Sequence, residues 1–291
     1  MVAEELAEVL MRVLAAVAVM LVLSIVVFIG RDRLVTTRRE WWSRLRTSAP
    51  IIAVLLVVLG LNRVMRQVGP SISREIGIHV SWLYWKVEGE FVLIFQDIAF
   101  PELTTYFSLV YVYGYTFLLI FPIVAYFALS DTRPFRQLLA AYSFNYAIGV
   151  TLYILIFAYG PRNYIPALVS ETMLYDNSPQ YIYLTTEVNR NVNVFPSLHT
   201  SLATTVAIFA YRTRDEYGRW FPVALLLAVS VVISTMYLGI HWAIDVVGGL
   251  VLATLSVVLA DRLVDRGLLA RLRARLAAIW TAATARLTDR T

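Results

Sequence analysis

Apolar runs long enough to cross a membrane alternate along this chain with short polar stretches rich in arginine. After an acidic start at 1–8, a first run covers 13–29. A cleaved signal peptide would need a basic start and a small-residue cleavage site, and Gly30-Arg-Asp-Arg offers neither, so this run predicts a transmembrane helix. The segment 31–49 carries Arg31, Arg33, Arg38, Arg39, Arg44 and Arg46 with Trp41-Trp42, and suits a cytoplasmic loop with an interfacial aromatic pair. A second span is expected at 50–68, with Asn62, Arg63 and Arg66 at its polar end able to snorkel or to line a cavity. The mixed pattern from Gly69 to Pro101 interleaves Trp82, Tyr84, Trp85, Lys86, Glu88, Glu90 and Asp97 with aliphatics, as in a segment lying along an interface. Its His79 sits in no motif and is assigned to surface or packing. Further spans are expected at 104–129, 138–159, 197–211, 221–239 and 242–260. The loop 160–195 is long and polar. The tail 261–291 sets arginines against Leu268, Leu269, Leu272, Leu276 and Ile279, as an amphipathic surface helix would. The fold class is therefore all-α, a polytopic membrane bundle of about seven transmembrane helices. It divides into N-terminal helices at 1–69, an interfacial segment at 70–103, a membrane core at 104–260 and a basic amphipathic cytoplasmic tail at 261–291.

Composition agrees, with 59% hydrophobic residues, 15% charged and a mean hydropathy of +0.68, outside the range of ordinary soluble domains. There is no cysteine, so disulfides and thiolate metal sites are excluded. The formal net charge of +5 does not point to nucleic acid, because the arginines fall between apolar spans and not on one soluble face. Most of the 25 basic residues lie in 31–49, 130–137, 212–220 and 261–291, whereas Arg63, Arg66, Arg74, Lys86, Arg162 and Arg190 fall toward the other side. The positive-inside bias places the N-terminus outside and the C-terminus in the cytoplasm.

Against this apolar background, Ser234-Thr-Met-Tyr-Leu-Gly-Ile-His-Trp-Ala-Ile-Asp245 stands out for a histidine and a carboxylate, groups that are costly in a membrane and usually functional. If the chain is helical from Trp242 onward, His241 and Asp245 share one face, where the carboxylate accepts a proton from one ring nitrogen and leaves the other to attack. A partner lies upstream in Asn193-Val-Phe-Pro-Ser-Leu-His-Thr-Ser201, where Pro196 and Ser197 suit a helix start and His199 falls in its first turn. The charge count gathers His199, His241, Asp245, Arg162 and Arg190 at the outer face.

Pro-Ser-Leu-His followed about 40 residues later by Ser-x-x-Tyr-Leu-Gly-Ile-His-x-x-x-Asp resembles the second and third signature motifs of the type 2 phosphatidic acid phosphatase superfamily. Leu198, with Phe195 before it and Asp-Val-Val-Gly-Gly from Asp245, is most similar to the inositol phosphorylceramide synthase branch. The resemblance implies a six-helix catalytic core and a lipid phosphoester substrate, with water or a polyol such as inositol as acceptor. In that scheme His241 attacks phosphorus and forms a phosphohistidine, Asp245 orients it, and His199 protonates the leaving oxygen and later deprotonates the acceptor. No metal and no cofactor are implied. The start of the fifth span, with the Ser197 hydroxyl, would present donors to the phosphate.

The family's first motif, a lysine at a fixed interval before Arg-Pro, is absent in that form. Arg133-Pro134 has Tyr126 seven residues earlier and falls on the inner side by the charge count. Gly160-Pro-Arg162 lies on the outer side, so the phosphate-binding role is assigned to Arg162, with Arg190 as a second guanidinium. Thr235 stands where the third motif usually has arginine. Three alternatives stay open: a structural polar cluster, a two-histidine, one-carboxylate metal site, and a transporter or lipid-binding protein that uses the same cluster without catalysis. Ser197 can equally be a plain helix cap, and Tyr237 and Trp242 are assigned to packing.

Overall fold

Water-facing composition and backbone conformation part company at the first polar stretch. The computed structural model describes residues 2–169 and 194–265. The expected loop 31–49 is helical there, and forms with the second span one 46-residue helix α2 (Arg31–Ile76). The correction has a simple cause: between Gly30 and Pro50 no glycine or proline interrupts the chain, and its many arginines, with leucine, are good helix formers. Ahead of it, α1 (Val2–Ser24) ends in a π turn at Ile25–Ile29, and Gly30 breaks the chain with a φ of 80°.

The segment expected along the interface is broken up as well. Residues 70–76 finish α2, followed by a two-residue strand β1 (Ile78–His79) and the short helices α3 (Ser81–Glu88) and α4 (Leu93–Asp97). The next span starts with Pro101 in its first turn as α5 (Pro101–Leu109), passes a π turn at Val110–Gly114, and continues as α6 (Tyr115–Phe127). The fourth span is α7 (Arg133–Leu155), which leads into β2 (Ile156–Phe157) and α8 (Pro161–Tyr164). The last three spans are α9 (Leu198–Arg212), α10 (Trp220–Tyr237) and α11 (Ala243–Asp265). The architecture is an all-α bundle. Six helical segments among the described residues are long and apolar enough to cross a membrane, and the 15-residue α9 packs among them as the seventh expected span. Arg190 and the tail beyond Asp265 lie outside the described residues.

The packing is that of a membrane bundle, with small residues inside and large apolar ones outside. Ala140, Ala141, Ala203, Ala210, Ala224 and Ala253 are buried where α7, α9, α10 and α11 meet, whereas Val22, Leu56, Leu226 and Val251 face outward. A polar ladder runs through this core: Asn145 Nδ2 donates to Thr205 Oγ1 at 3.1 Å, and Ser201 donates to Asn145. At the arginine-rich end, Arg44 donates to the Phe127 and Leu129 carbonyls, Arg133 pairs with Asp265, and Arg212 pairs with Asp261. At the opposite end β1 and β2 pair in parallel, Ile78 with Ile156 and His79 with Phe157, and tie the end of α2 to the end of α7. His79 packs against Phe157 with ring centroids 4.5 Å apart, in keeping with a packing role.

Candidate active site

All three sequence-predicted catalytic residues meet at the end of the bundle opposite the arginine-rich loops, and backbone hydrogen bonds fix their relation. The Ser197 N–H, at the start of α9, donates to the Asp245 carbonyl on α11 at 3.0 Å, so the two motifs are joined directly. Small residues permit this approach. A Cβ on Gly249 would stand 2.6 Å from the Ser197 carbonyl oxygen, and one on Gly248 would meet the Phe195 ring at 2.5 Å.

His241 precedes α11 and does not belong to it, so the expected face-sharing within one helix is replaced by a turn that curls back. Its N–H and that of Ile240 both donate to the Thr235 carbonyl, at 3.0 and 2.9 Å, and Gly239 adopts a φ of 64° to make the turn. His241 Nδ1 lies 3.3 Å from Asp245 Oδ2, and the same oxygen accepts the Trp242 N–H at 2.9 Å. Asp245 thus caps its own helix and orients the imidazole at once. Both side chains are buried, at 3% and 0% exposure. Burial, and then the Arg162 guanidinium, hold the His241 imidazole below its ordinary range, down to about 3, while the Val194 carbonyl opposes the shift. The ring is therefore neutral at physiological pH, the state required of a nucleophile.

His199, in the first turn of α9, faces His241 with ring centroids 6.1 Å apart. Tyr111 and Tyr115 flank its ring at 4.8 and 4.6 Å, one on the π turn and the other just after it, where the altered helical register turns both toward the site. Ser197 is fully buried, and its hydroxyl oxygen accepts the Thr200 N–H at 3.3 Å as a helix cap. That bond uses the oxygen as acceptor and leaves its proton to donate. Arg162 is 5% exposed on α8, its N–H donating to the Gly239 carbonyl at 3.0 Å, so the strap after α7 lies on the His241 turn. Thr235 carries no charge to the site, since its hydroxyl donates to the Val232 carbonyl one turn back. Leu198 points away, toward Gly149 on α7. Among the described residues no group of three or more His, Asp or Glu side chains is placed to hold a metal ion.

Trp242 and Tyr237 serve packing. The Trp242 indole donates to the Tyr159 carbonyl at 2.8 Å, and the Tyr237 hydroxyl bonds Thr104 Oγ1 at 2.7 Å. Missing from the sequence-level site is Glu88, at the end of α3. Its carboxylate accepts the N–H groups of Ala243, at 2.9 Å, and Ile244, the first two residues of α11. With Asp245 on the Trp242 N–H, the first donors of α11 are all engaged by carboxylates. Burial and, to a lesser degree, the nearby Asp245 push the Glu88 carboxyl up, against the pull of the two N–H groups. Glu88 is a positioning residue for the His241 turn, and no local spacing signals it, because its partners lie 155 and 156 residues away.

No curated protein and no solved structure is matched significantly by the chain. A family model described as the PAP2 superfamily matches residues 81–259, more than half of the chain and the stretch that holds His199, His241, Asp245, Glu88 and Arg162. The chain is a member of the type 2 phosphatidic acid phosphatase superfamily.

Proposed function

We propose that this membrane protein is a lipid phosphoester phosphatase or phosphotransferase that works through a phosphohistidine on His241. Membership of the superfamily supports phosphatase-type chemistry. The observation that carries the finer reading is the buried His241–Asp245 pair with the His199 ring 6.1 Å away. A phosphoester resists cleavage because its oxygens repel nucleophiles and the ester oxygen leaves poorly. His241 Nε2 attacks phosphorus and forms an N–P bond as the P–O ester bond breaks, and Asp245 stabilises the charge that develops on the ring. The leaving oxygen takes a proton from His199, whose imidazolium is favoured by the arriving phosphate anion. An acceptor O–H then loses its proton to His199 and attacks phosphorus, and the N–P bond breaks. Arg162 balances the phosphoryl oxygens beside His241, the Ser197 hydroxyl is a further donor, and Arg190 is proposed from sequence alone.

The acceptor decides between hydrolysis and transfer. Purified protein given a labelled lipid phosphate is expected to release phosphate, with inhibition by orthovanadate and none by EDTA. Appearance of a new phospholipid when inositol is supplied would assign transfer. Lipid binding with no turnover would leave the cluster a binding site only, and loss of activity to EDTA would favour the metal reading.

The same reading puts the site on the extracytoplasmic face, since it lies at the end opposite the arginine-rich segments. Because the chain has no cysteine, a single Val35→Cys change gives a clean probe. In intact cells this position should resist a membrane-impermeant thiol reagent and react only after permeabilisation. Labelling from outside would invert the orientation.

A further inference from the structure

We propose that Arg66, on α2, holds the substrate phosphate on the His199 side of the site, opposite Arg162 on the His241 side. The proposal rests on the phosphoester reading above and adds a ligand from the N-terminal part of the chain, ahead of the family-matched stretch at 81–259. The buried residues of α2 are Arg44, Ser48, Ile51, Leu55, Asn62, Gly69 and Ser73, spaced by three, four or seven as on one helix face. Arg66 falls four residues after Asn62 and three before Gly69, on that same stripe. The stripe packs against α7, where Tyr146 and Tyr153 stand seven residues apart on one face.

Arg66 acts electrostatically on both of those tyrosines, on Tyr115 and on His199, groups drawn from α6, α7 and α9. The neighbourhood is the site itself. The Tyr115 ring touches that of His199, and the Tyr153 hydroxyl accepts the Leu198 N–H in the first turn of α9. A snorkelling arginine would turn toward the lipid headgroups, as the neighbouring exposed Arg63 can. Arg66, half-buried along that stripe, is instead within electrostatic reach of these tyrosines and of His199, on the side of the site where the proposed phosphate would lie. The charge balance favours it: Thr235 brings no cation, and among the described residues Arg162 supplies one positive charge against the two negative charges of a phosphate monoester.

The test uses the full-length protein in detergent, with inorganic phosphate as the probe and thermal unfolding as the readout. Phosphate should raise the unfolding temperature of the wild type. Arg66→Gln should raise the phosphate concentration for half-maximal stabilisation about tenfold or more, as expected for loss of a charge-assisted ligand. Arg63→Gln should behave as wild type. Should Arg66→Gln fail to fold, Arg66→Lys keeps the charge but loses the planar fork, and should weaken phosphate about threefold. Unchanged phosphate affinity in the Gln or Lys variant, equal weakening by Arg63→Gln, or no phosphate effect on the wild type would each overturn the proposal. Lipid phosphate turnover with Arg66 indifferent to phosphate would sink Arg66 and leave the enzyme reading intact. Phosphate binding that depends on Arg66 without any turnover would do the reverse.

Discussion

Replacing His241 with alanine is expected to abolish turnover of a lipid phosphate, by at least about ten-thousandfold, because the group proposed to form the covalent bond has no substitute in the site. The expectation follows from the turn that presents the ring. Thr235 holds the backbone, Asp245 holds Nδ1, and Glu88 and Asp245 hold the start of the helix behind it, so no other nitrogen can take its place without rebuilding that turn. The alanine variant should fold, since the hydrogen bonds of the turn are made by backbone N–H groups and not by the imidazole. Free imidazole should restore part of the activity by entering the vacated space, which a collapsed site would not allow. The imidazole of the wild type gains a proton only as pH falls through about 3. A loss of rate between pH 7 and 5 would therefore belong to another group. Full lipid phosphate turnover by His241→Ala would end the phosphohistidine mechanism.

That His199, His241 and Asp245 would meet was legible in the sequence, because a histidine and a carboxylate in an apolar run have few bland explanations, and because the two motifs carry their own turn and cap residues. The helical state of 31–49 was not, since charge reports the solvent around a segment and says little about its backbone. Glu88, and the proposed role of Arg66, carried no motif in the sequence for a different cause. Each acts across the bundle on elements distant in sequence, and a glutamate beside tryptophans or an arginine at the end of a span reads locally as interfacial. Leu198, whose identity is most similar to one branch of the superfamily, turns its side chain toward Gly149 on α7.

Replacement of His199 with alanine is expected to split the reaction in two. With an alkyl phosphate the leaving oxygen requires a proton, and without His199 the first step should slow by about a thousandfold. With an aryl phosphate such as p-nitrophenyl phosphate the leaving group departs unprotonated, so His241 can still attack. Breakdown of the N–P bond then lacks the base that would take a proton from water. The variant should therefore release about one equivalent of p-nitrophenolate per protein in a burst, then turn over slowly with phosphate trapped on His241. Because an N–P bond is labile to acid and stable to base, that phosphate should survive alkaline treatment and be lost in acid. The geometry makes the division possible. The two rings are held independently, His241 by Asp245 and His199 by Tyr111 and Tyr115, so loss of the second ring need not disturb the first. Wild-type hydrolysis of alkyl phosphates by His199→Ala, or aryl phosphate turnover with neither burst nor trapped phosphate, would remove His199 from the acid and base role and require a different proton carrier near the leaving oxygen.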